Sequence, residues 1–161
     1  MKALEPIDAT PGKRIYSSII ADYDIKKALC ELIDNVIDSG KNNDLPKVSV
    51  RMSMHTPTQT IEISDNSGGV SELKNLISPG ATGNNPKEEL IGIFGVGTKR
   101  ATVALAKNIC IKTRIKGDHT KILKYDEDWV NSDNWNITPY VADQKEEEIN
   151  NSETFIELTN L

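Results

Sequence analysis

The chain has 161 residues, of which 37% are hydrophobic and 27% charged, and its formal net charge is −5. This length fits one domain that buries about two thirds of its unfolded surface. The acidic balance disfavours a nucleic-acid-binding module, because a phosphate backbone requires a basic face. We recognise no signal peptide and no apolar run of the roughly 18 residues that span a membrane, so we expect a cytoplasmic protein.

The first long element is a helix, predicted from about Tyr23 to Ser39 after a short segment, Ile15–Ile20, that is either helical or extended. Its apolar residues recur at spacings of three and four: Ala28, Leu29, Leu32, Ile33, Val36 and Ile37. Either Asp22 or Asp24 can cap its N-terminus, and we expect Gly40 to end it.

Two strands follow, and they should pair antiparallel because only a short turn, Thr56–Gln59, joins them. Lys47–Met54 and Thr60–Ser64 each alternate apolar and polar residues, which is typical of half-buried strands. The sequence DNSGG, Asp65–Gly69, then interrupts the sheet, and Ser71–Ile77 predicts a short helix.

The second half of the chain predicts a loop at Ser78–Glu89 and a helix from about Val96 to Ala106. Three more strands are predicted: Asn108–Lys116, Thr120–Tyr125 and Thr154–Leu158. The polar stretch Asp126–Ser152 should be anchored to the core by three aromatic residues: Trp129, Trp135 and Tyr140. This order predicts an α/β (α+β) two-layer sandwich, a mixed, mostly antiparallel sheet with helices on one face.

Three glycines, Gly92, Gly95 and Gly97, precede the helix at 96–106. Such glycines let the backbone approach a ligand, and the N-terminus of the following helix favours a phosphate. The stretch is not a Walker loop, because Gly97 is followed by Thr98 and then Lys99, the reverse of the required order. It is not a Rossmann fingerprint either, because Arg100 stands where a glycine is required. A phosphate-binding loop and an ordinary Gly-rich turn both remain open on these residues alone.

Two further groups of residues have a structural and a functional interpretation. Glu31 and Asn35 share one face of the long helix, either as its solvated edge or as a water activator and a Mg²⁺ ligand. Asp65 begins an ordinary turn, or it accepts a hydrogen bond from the exocyclic amine of adenine, with Gly69 allowing the base to approach. Thr154 alone is an ordinary strand residue.

Taken in order, these blocks resemble the GHKL ATPase superfamily, which includes gyrase B, Hsp-type chaperones, histidine kinases and MutL and has the Bergerat fold. The blocks are ELIDN at 31–35, DNSGG at 65–69, GxxGxG at 92–97 and Thr154 in the last strand. The sequences ELIDNVID and IGIFGVGTK are most similar to the chaperone, MutL and MORC branches. The resemblance covers roughly Asp24 to Leu158.

The resemblance implies ATP or ADP and Mg²⁺ as cofactors, with a role for each matching residue. Glu31 matches the general base, Asn35 the Mg²⁺ ligand, Asp65 the adenine-reading carboxylate and Thr154 its partner through a water. Gly69 matches the close approach to adenine. The phosphate contacts fall on the glycine stretch and its neighbours: Gly92, Gly95, Val96, Gly97, Thr98 and Lys99. The loop at 78–89 corresponds to the ATP lid.

The sequence departs from the superfamily pattern at Ser67, where a glycine is usual, and the pocket would be disturbed if that position needed a positive φ. The resemblance also implies slow hydrolysis, an ATP-dependent homodimer, and a cationic residue from a downstream transducer domain that this chain lacks. We therefore expect residues 1–161 to be one ATP-binding domain, the N-terminal module of a longer protein.

Two other functions remain open. A nucleotide-gated interaction module would bind ATP without hydrolysing it. A histidine kinase catalytic domain would need a phosphoacceptor histidine on a helix, but His55 is predicted at a strand end and His119 in a hairpin turn.

Overall fold

The structure is a computed structural model that describes residues 12–21, 23–80, 91, 97–143, 145 and 148–161. The helices in these residues are α1 (Ile15–Ile20), α2 (Ile25–Asn42), α3 (Lys74–Ile77), α4 (Gly97–Leu105) and α5 (Glu127–Asn131). The strands are β1 (Val50–His55), β2 (Thr60–Asp65), β3 (Asn108–Arg114), β4 (Lys121–Asp126), β5 (Tyr140–Val141) and β6 (Glu153–Thr159). Within this described part of the chain, no helix is both long and apolar enough to cross a bilayer.

The six strands form one sheet in the order β1-β2-β6-β3-β4-β5, and each neighbouring pair is antiparallel. The last strand of the chain, β6, therefore lies in the middle of the sheet, between β2 and β3. The predicted mostly antiparallel sheet is confirmed, as is the antiparallel pairing of the first two strands.

Three rows of side chains cross the sheet on the face that the helices cover. Two rows are apolar: Ile61, Leu158, Ile109 and Tyr125 in one, and Ile63, Ile156, Ile111 and Leu123 in the next. They form the core together with apolar residues of α2 and α4: Ala28, Leu32, Ala101 and Leu105. The third row, here called the polar row, consists of Asp65, Thr154 and Thr113. The core thus ends at a line of buried polar groups.

The helix α2 begins where Asp24 caps it, because the Lys27 amide donates to Asp24 Oδ1 at 2.8 Å. The prediction that Gly40 ends this helix is wrong, since α2 continues to Asn42. Gly40 is buried inside the helix, and a Cβ there would lie 2.4 Å from Val48 Cγ1. Close packing against the chain that leads to β1, and not a helix stop, therefore requires glycine at this position.

Both strands at the edges of the sheet are more exposed than the sequence predicts. In β1, Val50, Met52 and Met54 point to the helical side but are 37%, 36% and 49% exposed. In β5, the predicted anchor Tyr140 is 56% exposed. Alternation identifies which side chains share a face of a strand, but a strand at the edge of a sheet has a neighbour on one side only, so that face can stay exposed.

Trp129 and Trp135 do anchor the stretch after β4. They pack against Tyr16 on one side and the Lys13 ammonium on another, and this cluster is here called the aromatic box. The Lys13 ammonium lies 3.3 Å from the ring centroid of Trp129 and 5.5 Å from that of Trp135. It donates to the Trp129 carbonyl and to Ser132 Oγ. Burial lowers the pKa of Lys13. The box joins the start of the described chain to α5 through cation–π and hydrogen-bond contacts.

Candidate functional site

One side of α2 carries three polar residues, Glu31, Asn35 and Asp38, because positions three and four apart share a helix face. The Ile91 amide donates to Asp38 Oδ1 at 2.9 Å. Gly97, the first residue of α4, lies against Glu31. The same face of α2 therefore holds both ends of the segment between residues 91 and 97.

Gly97 lies in close contact with the Glu31 side chain. A Cβ at position 97 would lie 2.3 Å from Glu31 Oε2, which is closer than real Cβ contacts allow. The backbone at the N-terminus of α4 thus approaches the carboxylate directly, and this end of a helix favours negative charge. The predicted general base and the predicted phosphate-binding helix are brought together.

Asn35 is oriented by its own helix. Its Nδ2 donates to the Glu31 carbonyl at 2.7 Å, which leaves Oδ1 as the end of the amide available for a ligand. Among the described residues, no group of three or more His, Cys, Asp or Glu side chains is placed to hold a metal ion. The arrangement fits a hard cation such as Mg²⁺, which takes one or two protein oxygens and completes its shell with phosphates and waters.

The first turn of α4 carries Thr98 and Lys99. Lys99 is only 3% exposed, and this burial lowers its pKa to about 8. A buried ammonium at a helix N-terminus opposes the helix dipole, so a nearby anion would stabilise it. The other predicted phosphate contacts, Gly92, Gly95 and Val96, lie outside the described residues, as does most of the predicted lid.

The polar row is buried although its three side chains are polar or charged. Asp65, Thr154 and Thr113 are 8%, 7% and 1% exposed. The hydroxyls of the two threonines lie 3.3 Å apart, and the Val70 amide donates to Thr113 Oγ1 at 2.7 Å. The sequence did not indicate Thr113 as a site residue. The alternation of β3 predicts a third apolar residue at this position, after Ile109 and Ile111.

Asp65 accepts two hydrogen bonds from Ser67, one from the amide at 2.9 Å and one from the hydroxyl, both at Oδ1. Burial raises the pKa of Asp65, and the two bonds from Ser67 oppose this shift. Since both described bonds use Oδ1, the carboxylate is held in one orientation with Oδ2 left for a ligand.

Ser67 does not have the positive φ that would have disfavoured serine at this position. The positive φ values fall on the next two residues, 121° at Gly68 and 76° at Gly69. At Gly69 a Cβ would also lie 2.4 Å from the Arg114 carbonyl oxygen. The backbone therefore turns at the glycines, and Ser67 uses its hydroxyl to position Asp65.

Arg100 is a further site residue that the sequence did not reveal. Its Nη2 donates to Glu31 Oε1 at 2.8 Å, and its guanidinium carbon lies 4.3 Å from the centroid of the Tyr23 ring. Burial, together with the nearby Glu31 carboxylate, raises the pKa of Tyr23 to about 12. In the sequence, Arg100 excludes a Rossmann fingerprint, and no pattern indicates a site role for it. Its partner Glu31 lies 69 positions away in the chain, so no local motif predicts the contact.

The histidines lie where the sequence placed them: His55 is the last residue of β1, and His119 lies between β3 and β4. Neither is on a helix. The structure thus gives no support to a phosphoacceptor histidine in the described part of the chain.

One protein family matches the chain over most of its length. The family model for "Histidine kinase-, DNA gyrase B-, and HSP90-like ATPase" matches residues 23–155. No curated protein matches the chain.

Two solved structures are similar to the chain, each at 14% identity. One holds the ATPase and transducer domains of DNA topoisomerase II from Balamuthia mandrillaris, with a TM-score of 0.63 over 83% of this chain and 36% of that chain. The other is the ATPase region of Saccharomyces cerevisiae topoisomerase II bound to ICRF-187 (dexrazoxane), with a TM-score of 0.62 over 83% and 37%. The chain thus spans little more than a third of either one, and at this identity the similarity shows the fold alone.

The fold and the family match agree: the chain belongs to the histidine kinase-, DNA gyrase B- and HSP90-like (GHKL) ATPase family and has its Bergerat fold.

Proposed function

We propose that this chain is an ATP-binding domain that holds Mg²⁺-ATP between the polar row and the α2–α4 junction and hydrolyses it slowly. The observation that carries the proposal is the buried carboxylate of Asp65, fixed by Ser67 at the end of an otherwise apolar sheet face. Burying a carboxylate is costly unless a partner compensates, and the family match supports adenine as that partner.

The adenine end would recognise its base by hydrogen bonding. Asp65 Oδ2 would accept from the exocyclic amine, and Thr154 would reach the same base edge through a water. Gly69 would allow the ring to lie against the backbone. Guanine presents an oxo group in place of the amine, so it would leave a buried carboxylate facing an acceptor and be rejected.

The phosphate end would use α2 and the first turn of α4. Asn35 Oδ1 would hold Mg²⁺, whose chemistry is to neutralise charge on the phosphate oxygens. Gly97, Thr98 and Lys99 would contact the phosphates, together with the predicted contacts Gly92, Gly95 and Val96.

Glu31 would orient a water for in-line attack on the γ-phosphorus. The new P–O bond forms as the bond to the β–γ bridging oxygen breaks, giving ADP and inorganic phosphate, and the proton of the water passes to the Glu31 carboxylate. The resemblance implies that the reaction is slow in this domain alone, because a downstream transducer domain would supply a further cationic residue to the γ-phosphate.

We also propose that ATP acts mainly as a switch, pairing two copies of the chain and signalling to a downstream transducer domain. One of the similar solved structures contains both ATPase and transducer domains, and this chain covers 36% of it. The chain would then be the N-terminal module of a longer protein.

Calorimetric titration with ADP, ATP and GTP, with and without Mg²⁺, tests the nucleotide site. We expect Mg²⁺-dependent adenine-nucleotide binding that Asp65→Asn weakens by about 100-fold. The matched control is Asp143→Asn, an exposed residue outside the site, which should leave binding unchanged. No binding by the folded wild-type chain, or equal binding of GTP, would remove the proposal.

A non-hydrolysing interaction module is the second candidate, favoured by the contact between Arg100 and Glu31. Glu31→Ala separates the two functions. It should abolish phosphate release while sparing ADP binding if Glu31 activates the water. If the wild type binds ATP but releases no phosphate above background, the chain is a binding module.

A further inference from the structure

The Arg100 guanidinium lies next to the group that would activate water. It follows Gly97 by three residues, so it is on the first turn of α4, and its Nη2 lies 2.8 Å from Glu31 Oε1. The two side chains are 29% and 31% exposed. The ion pair is therefore partly open to solvent, where a ligand can approach it.

Stability alone does not account for this contact. An ion pair with this much exposure contributes only about 0–1 kcal/mol. The guanidinium is also held beside the Tyr23 ring, and its Nε is buried without a hydrogen-bond partner among the described residues. A guanidinium has five N–H donors, and a ligand with several anionic oxygens would use more of them than a single carboxylate oxygen does.

We propose that Arg100 senses the terminal phosphate of ATP within its own chain. Without nucleotide it pairs with Glu31. With ATP bound it moves to the γ-phosphate and leaves the Glu31 carboxylate to the attacking water. This inference rests on the proposed function and assigns to Arg100 the discrimination between ATP and ADP.

The exchange of partners follows from charge and geometry. A terminal phosphate carries more negative charge than a carboxylate and offers three oxygens to the planar guanidinium. The Arg100 guanidinium lies on Glu31 Oε1 and obstructs the approach of a water to that oxygen. ADP has no γ-phosphate, so Arg100 stays on Glu31 Oε1.

Calorimetry with Mg²⁺-ADP and a Mg²⁺-bound non-hydrolysable ATP analogue tests this on the full chain. Arg100→Gln should reduce the preference for the analogue over ADP by about tenfold while ADP affinity changes less than about twofold. Arg100→Lys keeps the charge without the planar donors, and it should fall between the wild type and Arg100→Gln. Lys124→Gln removes the same charge from an exposed position on β4 and should change neither affinity.

Three results would overturn the assignment. Equal weakening of both nucleotides by Arg100→Gln would mean that Arg100 only maintains the local fold of the α2–α4 junction. Unchanged affinities would mean that it does not contact phosphate. A faster hydrolysis rate in Arg100→Gln would mean that it merely restrains Glu31. If the wild type binds neither nucleotide, the proposed function itself has failed, and this inference with it.

Discussion

The two ends of the candidate site are built in different ways. The proposed adenine end is formed by neighbouring strands, and its polar row is buried and hydrogen-bonded, Asp65 to Ser67 and Thr154 to Thr113. The phosphate end is formed by two helices, and its central contact is a one-third exposed ion pair between Glu31 and Arg100. Cross-strand register fixes the proposed adenine-recognition surface, whereas the helix junction holds the proposed general base in a contact that the proposed reaction would break. We therefore expect substitutions at the two ends to fail differently.

Gly97→Ala should have the largest effect, and at the phosphate end only. The new Cβ would lie 2.3 Å from Glu31 Oε2, so the carboxylate and Arg100 must move. We expect ATP hydrolysis to fall by about 100-fold or more, because small displacements of a catalytic group are that costly. Phosphate-release assays measure it, and Gly12→Ala, which meets nothing within 4 Å, is the control. Normal turnover in Gly97→Ala would contradict the proposed role of Glu31.

Thr113→Val tests the adenine end with a change of nearly equal shape. It leaves the Val70 amide without its acceptor and removes the hydroxyl beside Thr154. The free energy of unfolding should fall by about 1–3 kcal/mol, and ADP binding should weaken with it. Urea denaturation gives the first quantity, with the exposed Thr138→Val as the reference. A variant as stable as the wild type would show that the polar row is not a prebuilt network.

The pH dependence of ADP binding should report on the phosphate end through Lys99. With a pKa of about 8, Lys99 loses its charge between pH 7 and 9, and ADP affinity should weaken by roughly tenfold over that range. Lys99→Met should bind ADP weakly with little dependence on pH. The control Lys124→Met replaces an exposed lysine and should retain the wild-type pH profile of ADP binding. A wild-type affinity that does not change with pH would exclude contact between Lys99 and phosphate.

Lys99 should also make the stability of the fold depend on pH, but in the opposite direction: ADP affinity falls as pH rises, whereas the free energy of unfolding increases. The folded pKa of Lys99 lies below the ordinary value of 10.5, so between about pH 8 and 10.5 the unfolded chain binds more protons than the folded one. The free energy of unfolding of the nucleotide-free chain should therefore rise across that window relative to Lys99→Met. A constant difference between the two proteins would show that Lys99 is not desolvated in the folded state.

Ser67→Gly should have the smallest effect. It removes the hydroxyl bond to Asp65 but keeps the amide bond, and the neighbouring glycines already make the turn. We expect ADP affinity to fall by only about two- to fivefold, since one hydrogen bond of two is lost. A loss as large as that of Asp65→Asn would mean that Ser67 contacts the nucleotide itself.

The fold was largely predictable because its signals are local. Apolar spacing located α2 and α4, and alternation located the strands that now form the two apolar rows. Burial was not predictable at the edges of the sheet: Val50 and Tyr140 were expected to pack against the core but are 37% and 56% exposed. Gly40 was misassigned for a similar reason, because its contact with Val48 is tertiary.

The residues of the candidate site also differ in whether a local sequence signal identifies them. Glu31, Asn35 and Asp65 stand in short motifs that the sequence displays directly. Thr113 and Arg100 do not, because each is defined by a partner on a distant element, Thr154 in one case and Glu31 in the other. Single-sequence patterns identify residues that a motif requires, but they do not identify the residues that the fold later brings beside them.

The aromatic box has a practical consequence for these experiments. The chain contains two tryptophans, and both lie against the Lys13 ammonium. Indole emission from this protein therefore originates at one place, where the N-terminal segment meets α5. Tyr16 connects the aromatic box to α3, because its hydroxyl donates a hydrogen bond to the Ile77 carbonyl. Undocking of the segment would change the surroundings of both indoles together, so the unlabelled protein carries its own optical probe of that event.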